Sequence, residues 1–193
     1  MRRKLGIIIF LIALTGAMHG QSSERIRKHE FGFTLGYVDN LNEYVNGGGL
    51  GSIFYSYFIN QNLGFGIVEY GIYSGISKAG DDYYSISYLA PTLTGRVKLS
   101  DRFTGLVKGN VGVALGMQGD FDEYGSSSDP DVKAALGFGV GTSVRYEASK
   151  LIGLTLSGDE LFFPSLTPST YSGFIKDKGM TCLSITVGMT FKL

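Results

Sequence analysis

The chain has 193 residues, 44% of them hydrophobic, with a mean hydropathy of +0.12 and 17 basic side chains against 17 acidic ones. That length, without a Pro-rich or charge-block linker, gives a single domain, and the balanced charge disfavours a nucleic-acid partner, which needs a basic face. Cys182 is the only cysteine, so no intramolecular disulfide can form and stability must come from packing and hydrogen bonding.

At the amino end, Arg2, Arg3 and Lys4 precede an apolar run from Leu5 to Leu14, followed by the small residues Thr15, Gly16 and Ala17. This is the pattern of a secretory signal peptide, and the run is about half as long as a membrane-spanning helix requires. Removal of Met1 to Gly20 is expected, with cleavage after Ala17 as the alternative. The loss of three basic residues then leaves 14 against 17 acidic, a net charge near −3. Residues 21–29 are expected to form a periplasmic segment ahead of a domain covering 30–193. No cysteine follows the apolar run to accept a lipid.

The rest of the chain shows period two rather than helical periodicity. Phe31, Phe33, Leu35 and Tyr37 alternate with Gly32, Thr34 and Gly36, and the pattern predicts strands over 30–38, 49–59, 63–74, 84–98, 103–116, 133–147, 151–161 and 180–193. In the last of these, Leu183, Ile185, Val187, Met189, Phe191 and Leu193 share one face, and Cys182, Ser184, Thr186, Gly188, Thr190 and Lys192 the other. The second and third segments leave the register open, since Ile53, Phe54, Tyr55, Tyr57 and Phe58 put large residues on both faces. Long polar connections (Asp39 to Gly48, Gly75 to Tyr83, Met117 to Val132, Phe162 to Gly179) alternate with short ones (Asn60 to Asn62, Leu99 to Arg102, Ala148 to Lys150).

Short turns at one end and long loops at the other are how outer-membrane barrels are built. In hydrocarbon every backbone donor and acceptor must be paired, and a closed sheet does this without an edge. The expected fold is therefore all-β, an eight-stranded antiparallel up-and-down transmembrane β-barrel, apolar outside and polar inside. The inward set includes Thr94, Arg96, Lys98, Lys108, Asn110, Arg145, Glu147, Thr155, Ser157 and Asp159. A periplasmic lipocalin-like barrel or sandwich, burying the opposite face, is the alternative that periodicity permits. Tyr37, Tyr57, Phe58, Tyr84, Phe103 and Tyr146 fall near strand ends, where a membrane interface favours aromatic rings. On this pattern Val140 faces lipid and Gly141 the lumen, so a charge at the former is costly and a hydroxyl at the latter is tolerated.

The run Tyr88-Leu89-Ala90-Pro91-Thr92-Leu93 leading to Arg96-Val97-Lys98-Leu99, the strand Gly109-Asn110-Val111-Gly112-Val113 and the ending Thr190-Phe191-Lys192-Leu193 resemble the small outer-membrane barrel proteins of the Bacteroidetes type, loosely called PorT-like. In that group the proline usually comes one residue later and the chain usually ends on Phe. The resemblance implies an integral outer-membrane location and supplies no catalytic residue set.

Glu69, Arg96, Lys98, Lys108, Arg145, Glu147 and Asp159 form the candidate lumen charge network. Eight strands leave an interior just wide enough for side chains to fill, and charges of mixed sign favour pairing, because unpaired charge away from water is costly. The function expected is a non-enzymatic structural or surface-interaction protein, with porin-like passage of small solutes as the alternative. Its partners would be outer-membrane lipid and lipopolysaccharide, the barrel-assembly machinery and ligands of the outer loops. No cofactor is expected. Asp120, Asp122, Gly125 and Asp131 fall on a calcium-loop spacing, but Tyr124 and a final Asp in place of Glu make a solvated acidic loop the simpler reading. Gly137, Gly139 and Gly141 lie in a strand pattern with no helix after them, which points to relief of crowding rather than phosphate binding. His19 leaves with the signal peptide and His29 beside Glu30 reads as a solvated pair, so no hydrolase or metal set is assembled.

Overall fold

The computed structural model describes residues 28–40, 45–76, 83–119, 131–166 and 179–193. The expected signal peptide, most of the segment 21–29, the tips of the long connections and Asp120, Asp122 and Gly125 lie outside them. Eight antiparallel strands, β1 (His29–Asn40), β2 (Val45–Phe58), β3 (Leu63–Ile76), β4 (Tyr83–Lys98), β5 (Phe103–Gly119), β6 (Asp131–Glu147), β7 (Ile152–Phe163) and β8 (Met180–Lys192), close into one barrel in sequence order. Every predicted strand is present. Most run a few residues further at the loop end, because polar and glycine residues there continue the ladder as hairpins.

The three short connections share one device. Asn60 Oδ1 accepts the backbone N–H groups of Asn62 and Leu63 (2.9 and 2.8 Å), Ser100 Oγ those of Arg102 and Phe103 (3.3 and 3.1 Å), and Ser149 Oγ those of Leu151 and Ile152 (3.1 and 3.0 Å). A short polar side chain thus supplies the acceptor that the turning backbone lacks.

Pairing fixes the barrel's geometry. A row of ladder partners begun at His29 passes through Tyr57, Phe65, Leu93, Gly109, Val140, Glu160 and Leu183 and meets β1 again at Asp39, ten residues further on (39 minus 29). Such a stagger tilts the strands by about 40° and leaves room inside only for side chains.

The alternation settles the registers that the sequence left open. On β2, Ile53, Tyr55 and Tyr57 point outward and Leu50, Ser52, Phe54, Ser56 and Phe58 inward; on β3, Phe65 and Ile67 point outward and Val68, Tyr70 and Ile72 inward. Both faces carry large residues because the loop half of the lumen is filled by an apolar core that includes Val38, Tyr70, Ile86, Tyr88, Phe163 and Met180. The expected polar interior holds only for the half nearer the short turns.

Glycine makes room for this filling. A Cβ on Gly137 would lie 2.6 Å from Tyr88 Cε2 and 2.9 Å from the Phe163 ring, and one on Gly139 would strike Asn110 and Leu161. A Cβ on Gly141 would strike the carboxylate of Asp159, so the expected tolerance of a hydroxyl there is corrected: serine would push Asp159 from its place. Gly49 and Gly71, in contrast, face open space. Gly137→Ala should cost about 1–3 kcal/mol by overpacking, and Gly49→Ala should leave stability unchanged or slightly raised. Denaturant titration of the two variants checks this; equal tolerance would mean that the interior is not filled.

Candidate functional site

The half of the lumen nearer the short turns is crossed by a chain of charges. Glu30, 2% exposed, enters from β1 at an even-numbered position shared with Gly32 and Thr34, which alternation turns inward. Its Oε1 accepts from Arg96 Nη2 of β4 at 2.5 Å and its Oε2 from Arg145 Nη1 of β6 at 2.8 Å. Arg145, 1% exposed, also donates through Nε to Glu147 Oε1 at 3.0 Å. Glu147 accepts from Thr104 Oγ1 of β5 at 2.9 Å and pairs with Lys192 of β8. The Arg96 guanidinium lies 3.6 Å from the centroid of the Phe58 ring of β2.

Five strands therefore supply one polar layer, with the Phe58 ring of a sixth against Arg96, and each carboxylate in it contacts two cationic side chains. Such a layer is weak evidence of net stability, since desolvation offsets the attraction, but loss of one member leaves its partners uncompensated.

Further into the lumen, Lys108 Nζ lies 3.6 Å from Asp159 Oδ1. Between this pair and the layer lies a cavity with about 30 Å³ of water-accessible space, lined by hydroxyl side chains such as Thr34, Ser143, Thr155 and Ser157, by Glu30, Lys108 and Arg145, and on its apolar side by Phe54, Val68 and Leu106. The Oγ atoms of Ser143 and Ser157 are buried without a protein partner. The cavity has room for about two waters, which these two hydroxyls could bind.

Beyond it the lumen turns apolar. The Tyr88 hydroxyl donates to Asn110 Oδ1 at 2.8 Å and lies 3.0 Å from the carbonyl of Gly137. The Tyr88 ring stacks on Tyr70, centroids 6.0 Å apart, and meets Phe163 edge-on at 5.3 Å. These rings form a plug across the barrel, with Leu161, Leu166 and Cys182 buried in the same core.

Of the residues singled out from sequence, Arg96, Arg145 and Glu147 join the layer, while Lys108 and Asp159 form the separate inner pair. Glu69 does not belong. It is exposed on the outward face of β3 between Ile67 and Gly71, because the inward positions of this strand are taken by Val68, Tyr70 and Ile72. Lys98 has the inward parity but lies at the turn, 63% exposed, and pairs with Asp101 at 3.0 Å. His29 and Glu30 are not a solvated pair: His29 Nδ1 lies outside at 2.7 Å from the Tyr55 hydroxyl, and Glu30 is buried within. Glu30 and Lys192 are the members that the sequence reading missed, although alternation placed Lys192 opposite the apolar face of β8.

Glu30→Ala should destabilise the barrel by about 3–5 kcal/mol, because two arginines lose their counter-charge. Denaturant titration monitored by heat-modifiable migration measures this, and a loss below about 1 kcal/mol, as for a solvated ion pair, would contradict the buried arrangement.

No known family model matches the chain, and no curated protein resembles it in sequence. Similarity appears at the level of fold. Neisserial surface protein A (NspA) superposes with a TM-score of 0.64 at 14% identity, covering 86% of this chain and 97% of that one. The outer membrane protein OprG from Pseudomonas aeruginosa superposes with a TM-score of 0.52 at 11% identity, covering 86% and 97%. The chain thus has the fold of the small eight-stranded outer-membrane β-barrels.

Proposed function

We propose that the chain is an integral outer-membrane barrel with a filled lumen, acting as a non-enzymatic structural or surface-interaction protein whose long loops meet partners outside the cell. The observation that carries this reading is the double obstruction of the lumen, by a charged layer at one end and an aromatic plug at the other. Location in the outer membrane is supported by the outward apolar face and by the similar fold of NspA and OprG. The strand motifs around Tyr88 to Leu99 favour a PorT-like grouping within that class. On this reading the wall contacts outer-membrane lipid and lipopolysaccharide, and insertion engages the barrel-assembly machinery after a cleaved signal peptide.

Narrow transport of small solutes is the rival. It requires a continuous aqueous path, whereas the cavity beside Ser143 and Ser157 has room for about two waters and ends below the Tyr70–Tyr88 stack. Planar-bilayer recording is expected to show no unitary steps; resolved steps from the purified protein would overturn the filled-lumen reading. Membrane placement has its own test. Val140, 49% exposed on β6, should not tolerate charge, so Val140→Arg is expected to cost about 2–4 kcal/mol in lipid vesicles. A neutral effect would indicate a wall facing water.

A further inference from the structure

The outward face is uneven around the barrel. Because the strands tilt, each row of ladder partners climbs toward the loop end from β1 to β8, by about 3 Å per strand for a spacing of about 4.8 Å and a tilt of about 40°. Glu69 shares its row with Leu89, Val113 and Leu136. Leu136, three strands along, therefore lies about 9 Å nearer the loop end than Glu69. Gly71 shares its row with Ser87 and Leu115, and Leu115 is higher than Gly71 by about 6 Å on the same reasoning.

The chemistry runs opposite to the height. Glu69 is an exposed carboxylate, and beyond it toward the loops the outward positions of β2–β4 include Gly49, Gly51, Gly71, Ser85 and Ser87, together with the stacked rings of Tyr73 and Tyr83, side chains that suit a headgroup interface. Gly49 and Gly71 open onto empty space. No described outward position of these three strands carries Lys or Arg to neutralise Glu69. On β5 and β6, the higher positions Leu115, Met117, Val132 and Leu136 are apolar and exposed, Leu136 to 61%. Glu160 on β7 also faces outward, but Phe162 follows it toward the loop end where glycine follows Glu69. Charge is costly in hydrocarbon and draws water and headgroups toward it, and a short apolar wall is met by local thinning of the bilayer or by tilt.

We propose that the outward face of β2–β4 around Glu69 is a binding surface for the hydrated headgroup layer of the outer leaflet, which descends there to Glu69 while acyl chains reach past that height on β5–β6. This rests on the membrane reading above. The surface supplies a carboxylate, two serine hydroxyls, the Tyr73 and Tyr83 rings and uncovered backbone at Gly49 and Gly71, and its occupant is polar lipid headgroup with its water.

The test uses single cysteines at Gly71, Leu115, Leu136 and Val187 in a Cys182→Ser background, spin-labelled and reconstituted in phosphatidylethanolamine and phosphatidylglycerol vesicles. Accessibility to oxygen and to a water-soluble nickel chelate gives the polarity at each site. Val187, 63% exposed in the apolar stripe of β8, reports on the membrane reading: a nickel-dominated signal there removes that reading altogether. With Val187 in lipid, the label at Gly71 is expected to show a nickel-to-oxygen ratio several-fold above those at Leu115 and Leu136, although both lie nearer the loop end. Glu69→Leu should lower the Gly71 ratio toward that of Leu115. An oxygen-dominated label at Gly71 with Glu69 intact, a ratio unmoved by Glu69→Leu, or a label shielded from both agents, as a docked protein would cause, each overturns the proposal.

Discussion

Everything inside this barrel follows from the pairing of β1 with β8. Glu30 lies opposite Lys192 and Asn40 opposite Cys182 along this seam, so the last free edges are consumed and the sheet closes with a stagger of ten residues. Closure with that stagger fixes strand tilt and radius together. A shell so narrow cannot remain empty without forfeiting dispersion contacts, and each polar group enclosed in it without a partner costs free energy. The charged layer, the small cavity and the aromatic plug are the solution this sequence adopts.

The two ends of the lumen differ for a physical reason. Near the short turns the mouth is wet, so charged groups keep partial solvation while pairing: Lys192 and Glu147 are partly exposed, and only Glu30 and Arg145 are fully withdrawn. Deeper inside, beside the small cavity, the described residues place one further pair, Lys108 with Asp159, in which only the carboxylate is fully withdrawn. Beyond it the strands supply Ile, Leu, Phe and Met, which fill space without needing partners, and Tyr88, whose hydroxyl is met by Asn110. Glycines on β6 set where the largest rings can sit, since the space a Cβ would occupy at Gly137 is taken by Tyr88 and Phe163.

Strand number, order and most boundaries were legible in the sequence because period two, the short turns and the long loops all point to one architecture. The faces of β1, β5, β6 and β8 were legible too, since apolar residues there alternate with Gly, Ser, Thr or charge. On β3 the rule that charge goes inward failed: the plug made the inward face apolar, so the periodic signal cancelled and Glu69 was assigned to the wrong side. Glu30 was missed for a different reason. Its parity was correct, but its importance comes from Arg96 and Arg145, distant in sequence and brought opposite it only by closure.

The most direct test of the closed, filled barrel is whether Glu30 and Arg145 meet across the lumen in a membrane. Magic-angle-spinning NMR on uniformly labelled protein in lipid should show a through-space correlation between the Glu30 carboxylate carbon and the Arg145 guanidinium carbon, with guanidinium protons slow to exchange. Absence of that correlation, with guanidinium protons exchanging as freely as those of the exposed Arg102, would contradict a lumen closed in this register.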